Sequence, residues 1–288
     1  MRRRDCLGLG AALATGAARA ARAATPTRIV ALEWSIVSML LSLGVPPVGM
    51  PEISAYREWV AEPVPPGGVA DIGIKTEPNL ETVAGLRPDL ILTSPLNRAI
   101  KPLLRVIAPV REVPIYTDAA APLRIATEQL TGLSVLLGRT AEADAEIASA
   151  KATFARSAEA LQARRDRPVV ILSFLDAQHA RVFGRGSLFA DVLQEVGLAN
   201  AWTQPVNLWG FVVVGIAELA RYPEARLLVV EPTPPGVMTL LNRATLWSSL
   251  PAVRAGRLAV APAAWQSGDL VAARRFAGFL PKALGAAA

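Results

Sequence analysis

Asp71-Ile72-Gly73-Ile74-Lys75-Thr76-Glu77-Pro78-Asn79-Leu80-Glu81, continuing to Arg87-Pro88-Asp89-Leu90-Ile91-Leu92-Thr93, is the stretch whose reading decides the fold. It predicts a short loop, a two-turn helix and a buried strand. Thr76 is the expected N-cap, and Pro78 suits a first helical turn, where its missing N–H costs nothing. Leu80, Val83 and Ala84 share one helical face, and Pro88 ends the helix. Leu90-Ile91-Leu92 is a continuous apolar run, the pattern of a parallel strand covered on both faces. The loop before the helix therefore lies at the rim of an α/β sheet, and it carries one cation, Lys75. A lone loop lysine is ordinarily just solvated, so its meaning depends on what surrounds it.

Working outward, Arg28-Ile29-Val30-Ala31-Leu32 reads as a first strand, and Glu33-Trp34 opens a helix that Gly44 ends. Pro46 to Met50 and Val113-Pro114-Ile115-Tyr116 read as further strands, with short helices over Tyr56–Trp59 and Leu103–Ile107. Strands alternating with helices predict a parallel sheet with helices on its faces. The segment from Pro122 to Arg165 breaks that rhythm. Leu130, Leu133, Leu136 and Leu137 form one amphipathic helix closed by Gly138. A second starts at Thr140 and is expected to run to Arg164, about 36 Å long at the α-helical rise. After Pro168 the alternation resumes, with strands at Val169–Leu172, Arg181–Gly184, Leu227–Val230 and Arg257–Val260. Helices are expected at Leu188–Val196, capped by Ser187, at Ile216–Ala220 and at Leu270–Leu280. The expected organisation is an N-terminal α/β lobe over 24–139, an interlobe helix over 140–165 and a C-terminal α/β lobe over 166–288.

Residues 1–23 read as a signal peptide. Arg2-Arg3-Arg4 precedes a weakly apolar run from Leu7 to Ala18, and Ala21-Arg22-Ala23 offers a cleavage site. Arg3-Arg4-Asp5-Cys6-Leu7 resembles a twin-arginine signal. Export to the periplasm is expected, and cleavage after Ala23 removes the chain's one cysteine, leaving nothing to form a disulfide. Losing five arginines and Asp5 lowers the formal charge from +6 to +2, so the basic isoelectric point is no argument for nucleic-acid binding. No later apolar run is long enough to cross a bilayer.

Catalytic signals are sparse. His179 is the single histidine, which excludes a multi-histidine metal site. Asp176 stands three residues before it, but no Gly-x-Ser-x-Gly elbow supplies a nucleophile. Gly184-Arg185-Gly186-Ser187 reads as a turn and helix cap rather than a phosphate loop. The tryptophans carry more. Trp59, Trp209 and Trp265 sit beside Gly, Pro or polar residues, off any periodic apolar face, whereas Trp34, Trp202 and Trp247 lie nearer packing patterns. Loop tryptophans from both lobes, with Lys75 on a rim loop, predict a binding cleft.

The chain resembles the periplasmic ferrichrome-binding proteins of bacterial iron(III)–hydroxamate ABC importers, a group of substrate-binding proteins with a rigid interlobe helix. The resemblance spans nearly all of the expected mature chain. It is densest at Arg28–Trp34, Gly73–Leu80, Val182–Gly184, Ser187–Phe189, Asn200–Trp202, Asn207–Gly210 and Val253–Arg257. It implies two Rossmann-like α/β lobes joined by a single long helix, with a shallow ligand cleft between them. It also implies a non-enzyme without cofactors, because iron arrives already wrapped by the siderophore. The expected partners are a ferric siderophore and an inner-membrane ABC permease, with the protein a monomer.

Carried over by position, the resemblance places the cleft tryptophans at Trp59, Trp209 and Trp265. The family's hydroxamate-binding arginine falls on Lys75, its tyrosine on Asn97, and a pocket leucine on Arg181. Aromatics near the last tryptophan become Gln266 and Ser267. Lysine keeps the charge but loses the planar two-point fork of arginine. Together the replacements predict a more polar, more basic pocket, suited to an anionic chelate such as a hydroxamate–carboxylate. The permease-docking acids of the family fall near Glu218 on the second lobe and at Pro102, with no acid beside it, on the first. Rival readings are a binding protein for cobalamin or haem and, from another class, an exported hydrolase using Asp176 and His179.

Overall fold

A computed structural model describes residues 25–285, so the targeting segment expected at 1–23 lies outside the described residues. The first half supplies β1 (Ile29–Ala31), β2 (Gly49–Met50), β3 (Ala70–Asp71), β4 (Gly73–Ile74), β5 (Glu77–Pro78), β6 (Leu90–Thr93) and β7 (Val110–Glu112). All but β4 and β5 join one parallel sheet in the order β3-β2-β1-β6-β7. Ile29–Ala31 and Leu90–Thr93 are buried at every position, as central strands covered on both faces must be.

The second half supplies β8 (Val169–Phe174), β9 (His179–Phe183), β10 (Phe211–Gly215), β11 (Arg226–Val230) and β12 (Leu258–Ala261), ordered β10-β9-β8-β11-β12. Here the expectation of purely parallel sheets fails. β9 runs antiparallel to both β8 and β10, because the turn between β8 and β9 is too short for a crossover helix. The fold class holds: two α/β units, each with its own sheet, separated in sequence by helices over Pro122–Leu137 and Thr140–Ala160.

Several local expectations change. Thr76 caps no helix, and Pro78 lies in β5 rather than a first turn. Gly73-Ile74 pairs antiparallel with Glu77-Pro78, placing Lys75 and Thr76 at the tip of a tight hairpin. Gly73 takes a φ of +89°, which a side-chain-bearing residue rarely adopts. Asn79 then caps the helix Leu80–Gly85, its side chain accepting from Thr82 N–H at 2.9 Å. Asparagine is among the strongest N-caps, and proline is tolerated in a two-strand edge pair, so the boundary moves three residues downstream. The strand expected at Val113–Tyr116 lies upstream instead, at Val110–Glu112, and Ile216–Arg221 is a 3-10 helix. The helix expected to reach Arg164 stops at Ala160, followed by a 3-10 turn. Its 21 residues span about 32 Å.

The last helix, Leu270–Ala283, binds the halves together. Arg274 Nε donates to Glu146 Oε1 at 2.6 Å and Ser157 Oγ donates to the Ala277 carbonyl at 2.9 Å, both on the long helix. At its N-terminus the buried Asp269 accepts from Ala272 N–H at 3.1 Å and from Ser38 Oγ, in the first half, at 3.2 Å. One apolar core runs through this seam, joining Trp34 and Met39 to Phe154, Phe189 and Phe276.

Candidate functional site

A cleft of about 460 Å³ opens between the two halves. One wall comes from the carboxyl ends of the first sheet's strands, where α/β folds place their ligands. Glu33 and Ser35 follow β1, Ser94 to Leu96 follow β6, and Val113, Ile115 and Tyr116 follow β7, with Lys75 reaching in from the hairpin tip. The facing wall is Leu208, Trp209, Phe211, Trp265 and Ser267.

Backbone bonds hold the Lys75 hairpin in place. The Asp71 carboxylate accepts from the N–H groups of Gly73, Glu52 and Ile53 at 2.9, 3.2 and 3.0 Å. Asn97 Nδ2 donates to the Lys75 carbonyl at 2.6 Å, while its Oδ1 accepts from Ser94 N–H at 3.2 Å. Asn97 is 2% exposed and does not line the cleft; its amide is spent on positioning Lys75. Lys75 Nζ lies 3.5 Å from the Trp34 ring centroid and 4.8 Å from that of Trp265. Cation–π contacts of this kind contribute about 0.5–2 kcal/mol. Trp34 is itself fixed by its indole N–H, which donates to the Pro51 carbonyl at 3.0 Å.

Carboxylates surround this lysine. Glu52 Oε2 stands 4.0 Å from Nζ and is buried without a hydrogen-bond partner. Glu33, 7% exposed, caps the helix Trp34–Ser42 and lines the cleft. Burial pushes its carboxyl above the usual carboxylate range, and Lys75 pulls it part of the way back. The expectation of a more basic pocket is therefore corrected. Two carboxylates stand against Lys75, because a helix-capping residue and a left-handed residue before the next helix both turn toward it.

The facing wall is set by a turn. Asn207 Oδ1 accepts from Trp209 N–H at 3.0 Å and from Phe211 N–H at 3.2 Å. Gly210 has a φ of +76°, and a Cβ there would stand 2.1 Å from the Ser187 nitrogen, so the turn packs backbone to backbone against a helix cap. Trp209 stacks on Phe211 with centroids 6.4 Å apart.

The remaining expected residues divide. Trp265 lines the cleft, 4.8 Å from Trp34. Trp59 does not line it; it supports Trp265 edge-on at 6.3 Å. Arg181 is half-buried on β9, its guanidinium 5.6 Å from the Phe211 ring centroid, and it is not part of the cleft lining. Burial lowers its pKa from the ordinary arginine range. Glu218 pairs with Arg221 on its own turn. Pro102 lies on an exposed helix face with Leu103, Arg105 and Val106. Asp176 and His179 do meet at 3.1 Å, but in an exposed turn where the carboxylate also accepts from the N–H groups of Gln178 and His179. Trp202 and Trp247 are core residues.

Sequence reasoning missed Tyr116, Phe211 and Glu33. Tyr116 donates its hydroxyl to the Gln266 carbonyl at 2.8 Å across the cleft, and burial raises its pKa. Phe211 had a findable signal, since Phe211-Val-Val-Val is a β-rich run just past Trp209. Glu33 had another: it stands two residues past a central parallel strand.

Two α/β units with a cleft walled by rings and a caged lysine define a two-lobed binding protein, and comparison agrees. The chain belongs to the periplasmic binding protein family, whose model matches residues 29–264. It is 37% identical over 266 residues to the iron(3+)-hydroxamate-binding protein FhuD of Escherichia coli (strain K12), covering 92% of this chain and 89% of that protein. Its structure matches Vibrio cholerae FhuD bound to Fe3+–Desferal with a TM-score of 0.85 at 32% identity, covering 90% of this chain and 97% of the other. The petrobactin-binding protein YclQ of Bacillus subtilis, 17% identical, shares the fold with a TM-score of 0.73 over 90% of this chain and 92% of its own.

Proposed function

We propose that this chain is a periplasmic solute-binding protein that captures a ferric hydroxamate siderophore and delivers it to an ABC importer, without doing chemistry. The observation that carries this is Lys75, held over Trp34 on one wall of an interlobe cleft and facing Trp209 and Phe211 on the other. The lysine donates to chelate oxygens around iron, and the rings cover the organic shell. The chelate brings the iron's ligands with it. Trp209 and Trp265 are direct ligand contacts; Trp59 and Asn97 act by supporting Trp265 and Lys75, and Arg181 acts through Phe211.

Export through the 1–23 segment, and lobes at 24–139 and 166–288 joined by 140–165, belong to the same reading. The first sheet draws on 29–112 and the second on 169–261, which supports that division. Glu218 is our candidate for permease docking on the second lobe; its pairing with Arg221 means a permease arginine must compete for it.

The test is a tryptophan-fluorescence titration of residues 24–288 with ferric ferrichrome, then cobalamin and haem. Saturable quenching by ferrichrome at micromolar or lower concentration is the expected result. Quenching by cobalamin or haem alone would move the ligand to another chelate class.

A further inference from the structure

We infer that Glu33 is a specificity-determining residue: it receives an ammonium or N–H donor on the organic arm of the chelate, so the cleft favours a ferric hydroxamate with a cationic arm over a neutral or carboxylate-armed one. This rests on reading the cleft as a siderophore site and adds which charge the ligand's arm carries.

Three observations lead here. Glu33 is nine-tenths buried, yet it lines the cleft, so its carboxylate is dewatered and still within reach of a bound molecule. A carboxylate in that position is stabilised most by a donor that arrives with positive charge. Next, the nearby cation is already engaged. The Lys75 ammonium sits over the Trp34 ring and beside Glu52, and it acts on Glu33 only through space. Once a chelate is bound, its iron-coordinating oxygens compete for the same ammonium, which leaves Glu33 and Glu52 less compensated than in the free protein. Finally, the facing wall offers the Trp209 ring, whose face attracts a cation and offers nothing to a carboxylate, while the Trp265 and Phe211 rings already lie against Lys75 and Arg181. A cationic arm gains from both walls. An anionic arm meets Glu33 on one and the Trp209 ring on the other.

Arg181 does not reverse this. It stands outside the lining with its guanidinium against the Phe211 ring, so it is not among the groups that a bound arm meets in the cleft.

The test compares three probes by tryptophan fluorescence: ferric desferrioxamine B, which ends in an ammonium, its N-acetylated derivative, and a ferric hydroxamate–carboxylate. The wild-type chain is expected to bind the ammonium form about tenfold more tightly than the acetylated form, the size of one charged hydrogen bond in a partly dewatered site. The carboxylate-armed chelate should be weakest. In Glu33→Gln, whose side-chain carbonyl still accepts the Trp34 N–H, the ratio should fall to about twofold or less through loss of the ammonium form alone. Equal wild-type affinity for the two desferrioxamine forms would overturn the inference with no variant needed. So would a preference that Glu33→Gln leaves intact. If the acetylated chelate binds well without any preference, only this inference fails. If no hydroxamate binds the wild-type chain, the siderophore reading fails and this falls with it.

Discussion

The two walls of the cleft are built on opposite principles. The first carries Lys75 and Glu33 in its lining, with Glu52 just behind, each turned toward the others by backbone bonds at strand ends and helix caps. The second is mainly rings and aliphatic carbon, held by one asparagine turn pressed against a neighbouring helix cap. Charges need a scaffold that fixes donors to within a few tenths of an ångström; rings tolerate sliding, because dispersion is spread over many atoms. The comparison teaches a division of labour: one wall orients the chelate by its charges, and the other holds it by area.

The largest effect should come from breaking the second wall at its turn. Gly210→Ala places a Cβ against the Ser187 backbone at a positive φ, and we expect a loss of about 3 kcal/mol or more in stability, read by chemical denaturation. Lys75→Ala should weaken ferric ferrichrome binding by about 1.5–3 kcal/mol. An unchanged dissociation constant would remove Lys75 from the site.

The seam between the halves gives a pH signature. Burial pushes the Asp269 carboxyl up to about 7. Unfolded, it loses its proton near pH 4. Between those values the folded chain binds more protons, so stability falls as pH rises across that window and stays low above it. Asp269→Asn keeps the cap and the Ser38 bond, and should stabilise the protein at pH 8 but not at pH 4, measured by thermal melts at each pH. The smallest effect belongs to Arg181→Ala. Because that side chain stands outside the lining, against Phe211, its removal should cost less than about 1 kcal/mol in ferrichrome affinity by calorimetric titration. A larger loss would put Arg181 on the ligand itself and give the second wall a charge of its own.

The second wall was the more legible in sequence. Trp209 and Trp265 stand out because tryptophan beside glycine, asparagine or polar residues serves no periodic core face. Leu90-Ile91-Leu92 and Val169–Leu172 announced central strands by composition alone. The first wall was legible only in part. Lys75 was found, but on an expected loop before a helix rather than at a hairpin tip, since Pro78 and Asn79 both carry boundary signals and the asparagine cap prevailed. Glu52 was missed because a carboxylate at a helix start looks the same in sequence whether it faces water or a cleft, and Glu33 because only its place just past a central strand marked it. Asn97 was assigned to the ligand, although its amide bonds the backbone that carries Lys75. Such partners lie 22 residues apart in the chain, a separation that no local pattern encodes.

The most direct test of the central claim is a crystal of the protein with ferric desferrioxamine B, with iron located by its anomalous scattering. The account predicts one iron peak between the two walls, with chelate oxygens facing Lys75 and the organic shell against Trp209 and Phe211. An iron peak outside the cleft, or a chelate whose oxygens turn away from Lys75, would contradict it.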